Sequence, residues 1–153
     1  MVKHHTCENR CLFTPGANAV WRKEHFLRPE DLGNANLGIA QMEIEKEVVE
    51  QILTTTGQAG VEIVINAALA QRIEERVWKW VSHLLVSESE AGVMSGRDVN
   101  EDTWSVICQV FLDRGVKNVV ITLGTKGAYY ATAMERGRCL GYKVGVVDTT
   151  GTG

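Results

Sequence analysis

Residues able to do chemistry recur just after apolar runs in this chain. The run at 144–147 leads into Asp148, Thr149, Thr150, Gly151, Thr152 and Gly153. The run at 118–123 leads into Gly124, Thr125, Lys126 and Gly127. Ser87, Glu88 and Glu90 follow 83–86, Asn66 follows 61–65, and Glu43 follows 37–42. A strand ending in a Gly-rich turn commonly feeds a helix whose N-terminus can hold a phosphate. Ligands of open parallel sheets bind at the carboxyl ends of the strands, so these sets together point to one site for an anionic ligand. Each also has a purely structural reading. Gly124 and Gly127 can serve a tight turn, Glu88 and Glu90 can favour a helix N-terminus, and Glu43 can simply be solvated. His4, His5, Cys7 and Cys11 match no zinc spacing, because a second well-spaced pair is missing. Cys108 and Cys139 stand in apolar surroundings, and all four cysteines read as reduced thiols.

The elements that would position these residues alternate regularly from residue 37 onward. The pattern predicts strands at 37–42, 61–66, 83–87, 118–123, 128–132 and 142–147. It predicts helices at 45–60, 72–81, 87–96 and 101–115. Val48, Val49, Ile52 and Leu53 share one helical face, as do Trp104, Ile107, Cys108 and Phe111. Ile73, Val77 and Trp80 form the stripe of the helix at 72–81. Gly57 and Gly60 mark the end of the first helix, and Gly115 is a natural C′ residue of the last. The first 36 residues, with a possible strand at 11–14, read as an irregular lead-in. Alternating strands and helices with short connections imply an α/β, Rossmann-like, mostly parallel sheet with helices on both faces.

The chain has 153 residues, is 44% hydrophobic and 23% charged, and carries a formal net charge of -3. That fits one soluble globular domain. Mild acidity gives no electrostatic reason for a nucleic-acid or anionic-membrane partner. No apolar run reaches the ~18–20 residues a membrane span requires, and the N-terminus has no apolar signal-peptide core. The cytoplasm, with the nucleus as a second compartment, is the expected location.

Neither the Walker A pattern nor G-x-G-x-x-G occurs. "PGAN" (15–18), "QMEI" (41–44), "INAALA" (65–70), "LLVSESEA" (84–91), "GVKNVVITLGTKGAYY" (115–130) and "VVDTTGTG" (146–153) together resemble the ribokinase family of the carbohydrate kinase superfamily. They fall in that family's order and spacing over nearly the whole chain after about residue 10. The resemblance implies a partial, incomplete ribokinase-like domain over 1–153, with a lid-strand remnant at 1–15 and the core sheet at 16–153. It implies transfer of the γ-phosphoryl group of ATP to D-ribose, giving ribose 5-phosphate, and a homodimer for full-length relatives.

By that resemblance Glu43 binds the sugar. Ser87 and Thr122, Leu123, Gly124, Thr125, Lys126 and Gly127 bind the nucleotide. Glu90 reaches Mg2+ through water, while Asp148 and Thr150 ligate an activating K+. Gly151, Thr152 and Gly153 form the anion hole, with Thr152 where the family has Ala. Ser87 replaces the family's Asn, and "INAALA" lacks its two prolines, which implies a looser loop. The catalytic Asp of the family motif would follow Gly153, so the chain as given is expected to be inactive and partly molten. Alternatives are a fructokinase-like or nucleoside kinase-like member, a non-catalytic nucleotide-binding module, or a degenerate product.

Overall fold

The computed structural model describes residues 14–21, 27–143 and 145. Its strands are β1 (Leu37–Gln41), β2 (Glu62–Asn66), β3 (His83–Ser87), β4 (Asn118–Thr122), β5 (Ala128–Thr132) and β6 (Arg136–Cys139). The α-helices are α1 (Lys46–Gln58), α2 (Glu88–Ser95) and α3 (Trp104–Asp113). The six strands form one sheet in the order β1-β2-β3-β4-β5-β6. β1 to β4 run parallel, and β5 and β6 add as an antiparallel hairpin. The expected α/β architecture is therefore present, as a mixed sheet.

Helices cover only one face of this sheet among the described residues. Ile63, Ile65, Leu84, Val86, Val119, Ile121 and Ala131 are all buried, and the pairing register places them on that one face. On the other face Val64, Leu85, Val120 and Tyr130 are half-buried, and Ile39 is 76% exposed. The expectation of helices on both faces is corrected here. A parallel crossover is right-handed, so strands added in strict sequence order put every crossover on the same side.

α1 buries Val48, Val49, Ile52 and Leu53 as its apolar spacing dictates. Gly57 lies inside this helix and does not end it. The Trp80 ring lies against it, and a Cβ there would come within 2.3 Å of that ring. Gly60, at φ +75°, ends the turn. α2 follows its sequence signals closely. Ser87 is its N-cap, and Gly96 ends it in the left-handed conformation at φ 72°. α3 buries Trp104, Ile107, Cys108 and Phe111.

Other elements depart from the expected pattern. The segment predicted as a helix at 72–81 is only a 3-10 turn, Glu75–Trp80. Glu74 is extended, at ψ 143°, so no helix can pass through it, and its amide donates to the Glu50 carboxylate at 2.9 Å. Three residues per turn change the buried face, so Trp78, not Trp80, joins Val77 in the core. β6 was not expected at all, because Arg136-Gly137-Arg138-Cys139 carries little strand propensity. Pairing with β5 forms it, and Gly137 admits the Tyr130 side chain, whose hydroxyl a Cβ would meet at 2.8 Å and whose ring at 3.0 Å. Of the strand expected at 142–147, Tyr142 and Lys143 are not in a strand, and 144, 146 and 147 lie outside the described residues. Most of the possible strand at 11–14 also lies outside them.

Two measurements check this packing. Ile63→Ala should destabilise by about 2–5 kcal/mol, whereas Ile39→Ala should cost under about 1 kcal/mol, both read from urea unfolding. Burial pushes the Cys108 thiol up to about 12, so the native state keeps its proton. Stability from this group is fully present below the unfolded thiol range near ~8.5. Above that range it is lost, by about 1.4 kcal/mol per pH unit until the folded value is reached. Unfolding curves between pH 8 and 11 should show this slope in the wild type and not in Cys108→Ala.

Candidate functional site

The parallel register lines up the carboxyl ends of β1 to β4 along one edge. Glu43 lies two residues beyond β1, and Ser87 and Thr122 are the last residues of β3 and β4. β1 and β4 are three strand spacings apart, roughly 14 Å. Two clefts open along this edge.

The first cleft, about 320 Å³, includes Pro15, Asn18, Met42, Glu43, Leu69 and Gln71 in its lining. It gathers three sequence pieces that are far apart in the chain: 15–18, 41–44 and 65–70. Glu43 is exposed, so its carboxylate is available to a ligand. Leu69 has φ 60° and is the one non-glycine residue with positive φ among the described residues. A branched side chain in the left-handed region is strained. Sequence reading missed it, since nothing in "INAALA" marks Leu69 for that conformation.

The second cleft, about 620 Å³, is lined by Ser87, Glu88, Ser89, Thr122, Leu123, Gly124 and Gly127. Here the end of β3 meets the turn after β4. That turn is a single 3-10 turn, Gly124–Lys126, closed by Leu123 N–H donating to Gly127 O at 2.8 Å. Gly124 has φ +56° and Gly127 φ +93°, conformations that glycine adopts at least cost. Thr122, Gly124, Thr125 and Lys126 are exposed, and Leu123 is buried. Leu123 can therefore meet a ligand only through its backbone. The Thr122 hydroxyl donates to Val86 O at 3.4 Å, tying the two strand ends together.

Ser87 and Glu90 form a reciprocal cap on α2. Glu90 N–H donates to Ser87 Oγ at 3.3 Å, and Ser87 N–H donates to Glu90 Oε2 at 2.7 Å. Ser87 Oγ also lies 3.1 Å from Ser89 Oγ. The serine side chain is thus turned onto its own helix. One oxygen of Glu90 is committed to the backbone, and the other keeps its acceptor capacity. A carboxylate so held suits contact with a hydrated Mg2+ through water. Glu88, one of the strand-end residues singled out in the sequence, faces this cleft and accepts a hydrogen bond from Trp104 Nε1 at 2.8 Å.

Asp148, Thr150, Gly151, Thr152 and Gly153 lie outside the described residues, as do His4, His5, Cys7 and Cys11. Among the described residues no group of three or more His, Cys, Asp or Glu side chains could hold a metal ion. No helix among them is long and apolar enough to cross a membrane. A third hollow, about 240 Å³, lies between α1 and the 3-10 turn at 75–80. Four of its charges are paired with each other, Lys46 with Glu50 and Arg76 with Glu74. The Lys117 ammonium, hydrogen-bonded at 2.6 Å, holds the Glu62 carboxyl below its usual range. Glu62 begins β2, at the opposite edge of the sheet from both clefts.

A pfkB family carbohydrate kinase profile matches residues 1–153. The chain is 32% identical over 159 residues to a ribokinase of Schizosaccharomyces pombe, covering 100% of this chain and 50% of that protein. It is 31% identical over 140 residues to a ribokinase of Staphylococcus aureus, covering 90% of this chain and 46% of that one. The solved ribokinase of Thermotoga maritima superposes with a TM-score of 0.78 at 28% identity, covering 94% of this chain and 47% of that one. The chain spans about half the length of the relatives it matches.

The two glycines of the turn should respond differently to alanine. A Cβ on Gly124 meets nothing within 4 Å, whereas one on Gly127 would lie 2.0 Å from Cys139 O. Gly124→Ala should cost about 1–2 kcal/mol, the penalty of the left-handed conformation alone. Gly127→Ala should cost about 3 kcal/mol or more, because strain and a backbone clash combine. Urea unfolding of the two variants checks the order; equal losses would contradict it.

Proposed function

The chain belongs to the pfkB family of carbohydrate kinases, and on that premise we propose that it carries part of an ATP-dependent sugar kinase acting on D-ribose. The observation that carries this reading is the pairing of clefts on one sheet edge. Glu43 stands in one with 15–18 and 65–70, and the turn after β4 stands in the other with Ser87–Ser89. The product of such a reaction is ribose 5-phosphate.

Phosphoryl transfer depends chiefly on positioning and on charge stabilisation. In this reading the nucleotide lies along the turn at 124–127, where exposed backbone can approach closely because two positions lack side chains. Lys126 supplies positive charge for the phosphates. Glu43 accepts hydrogen bonds from sugar hydroxyls, an interaction stronger than a neutral pair because the acceptor is ionised. Mg2+, when bound, neutralises phosphate charge, and Glu90 would hold it through water. Asp148 and Thr150 remain the residues assigned to K+, and Gly151, Thr152 and Gly153 the anion hole, on the resemblance alone. In the same way the core is taken as 16–153 and the homodimer as the assembly of full-length relatives, with the cytoplasm as the compartment.

Binding tests the reading on residues this chain contains. ATP with Mg2+ at 100-fold above Kd should add about 2.7 kcal/mol of stability. Ribose should stabilise more than fructose or a nucleoside at equal concentration. Lys126→Ala should weaken ATP binding about tenfold and leave ribose unchanged, since one charge-assisted contact contributes about 1.5–3 kcal/mol. Glu43→Gln should do the reverse. Thermal unfolding with each ligand and calorimetric titration read these outcomes; no response to either ligand would sink the proposal.

A further inference from the structure

β6 has no place in the chemistry assigned above, yet its third residue touches the turn at 124–127 and the indole that holds Glu88. The Arg138 guanidinium donates from Nη1 to Glu101 Oε1 at 3.0 Å and from Nη2 to Lys126 O at 3.5 Å. Its Cζ lies 5.3 Å from the centroid of the Trp104 ring. Glu101 also faces Lys126, with Oε2 3.9 Å from Nζ. Trp104 is 3% exposed, so the platform beneath Arg138 is fixed by the core. From its other side the same indole donates to Glu88 at the start of α2.

The turn at 124–127 needs such support. It holds two glycines with positive φ, the residue with the largest backbone freedom to lose on ordering. The chain after β6 already presses on it. A Cβ on Gly127 would collide with Cys139 O and Gly141 N, and one on Gly141 would lie 2.6 Å from Thr125 O. An isolated surface ion pair does little. Arg138 instead combines a cation–π contact with a buried ring, a carboxylate contact and a bond to a loop carbonyl. Only a guanidinium can do all three at once, because a lysine ammonium has neither the flat face nor the fork.

We infer that Arg138 is the positioning residue of the 124–127 turn, and that through Trp104 and Glu88 it couples this turn to the N-terminus of α2 across the cleft. The effect on nucleotide affinity rests on the function proposed above; the mechanical coupling does not.

Hydrogen exchange on the whole chain without ligand tests the coupling. In the native turn Lys126 N–H is bonded to Leu123 O and Gly127 N–H to Gly124 O, and Glu90 N–H caps on Ser87. Arg138→Ala should speed exchange about tenfold at all three amides and leave Ile65 in β2 unchanged. Arg138→Lys should restore none of this protection. Trp104→Phe keeps the ring platform and removes the donor to Glu88, so it should loosen Glu90 and spare Lys126 and Gly127. Unchanged exchange at the turn in Arg138→Ala, or full rescue by lysine, overturns the inference. A turn that loosens while Glu90 does not refutes the coupling to α2. Should Arg138→Ala fail to fold, Arg138→Lys and Glu101→Gln, which must each loosen the turn, decide the matter.

A second arm titrates ATP with Mg2+. Arg138→Ala should raise Kd for ATP five- to tenfold and leave ribose affinity unchanged. An unaltered Kd in a protein that does bind ATP counts against the positioning role. A wild type that binds no ATP defeats the functional reading alone, and the exchange data still judge Arg138.

Discussion

Leu84 lies fully buried between Ile65 on β2 and Val119 on β4, at the same level of the sheet. Ile63 and Val86 extend that row toward the two ends. Side chains alternate along a strand, so a slip of one residue would move this whole set to the open face. Burial beneath α1, α2 and α3 therefore fixes the register of the sheet. The same register fixes the distances along its carboxyl edge. Ser87 and Thr122 stand where they do because Leu84, Val86, Val119 and Ile121, one and three residues earlier on their strands, have to be dry. The chemistry of the edge is set by the packing beneath it.

The turn after β4 shows how a segment without chemistry shapes one that has it. Its glycines leave the backbone open to a ligand, and that openness would leave the turn poorly ordered by itself. The β5–β6 hairpin supplies the order. Cys139 and Gly141 pack so closely on Gly127 and Thr125 that no side chain fits between them. Arg138 then ties the turn to the buried Trp104. Small residues at the contact and an arginine over an aromatic ring achieve this without closing the cleft.

The N-terminus of α2 carries a different compromise. Ser87 and Glu90 satisfy each other's amides, which stabilises the helix. A short hydroxyl side chain is drawn back into the cap, where a longer amide could reach outward. Glu90 serves the helix through one carboxylate oxygen, while Ser87, Glu88 and Ser89 line the cleft itself. Glu88 is fixed by the indole of Trp104, and its placement makes α3 part of the wall on that side. At the other cleft the left-handed conformation of Leu69 is imposed by its surroundings.

Local sequence determined the elements whose pattern is strong. The period of Val48, Val49, Ile52 and Leu53, the cap at Ser87, the stop at Gly96 and the apolar strands were all legible, because each depends on residues within one or two turns. The families of residues after each strand were legible too, since strand ends in a parallel sheet share one edge. Tertiary structure decided the rest. Gly57 read as a stop and proved to be a seat for Trp80, because the ring that occupies it arrives from 23 positions further along. The segment at 72–81 looked helical, but Glu74, bonded to Glu50 of α1, is extended and only Glu75–Trp80 turns. β6, and with it Arg138, left no local signal, since pairing with β5 makes that strand and its own propensity does not. Helices on a single face follow from strand order, a property of the whole sheet that no stretch of sequence carries.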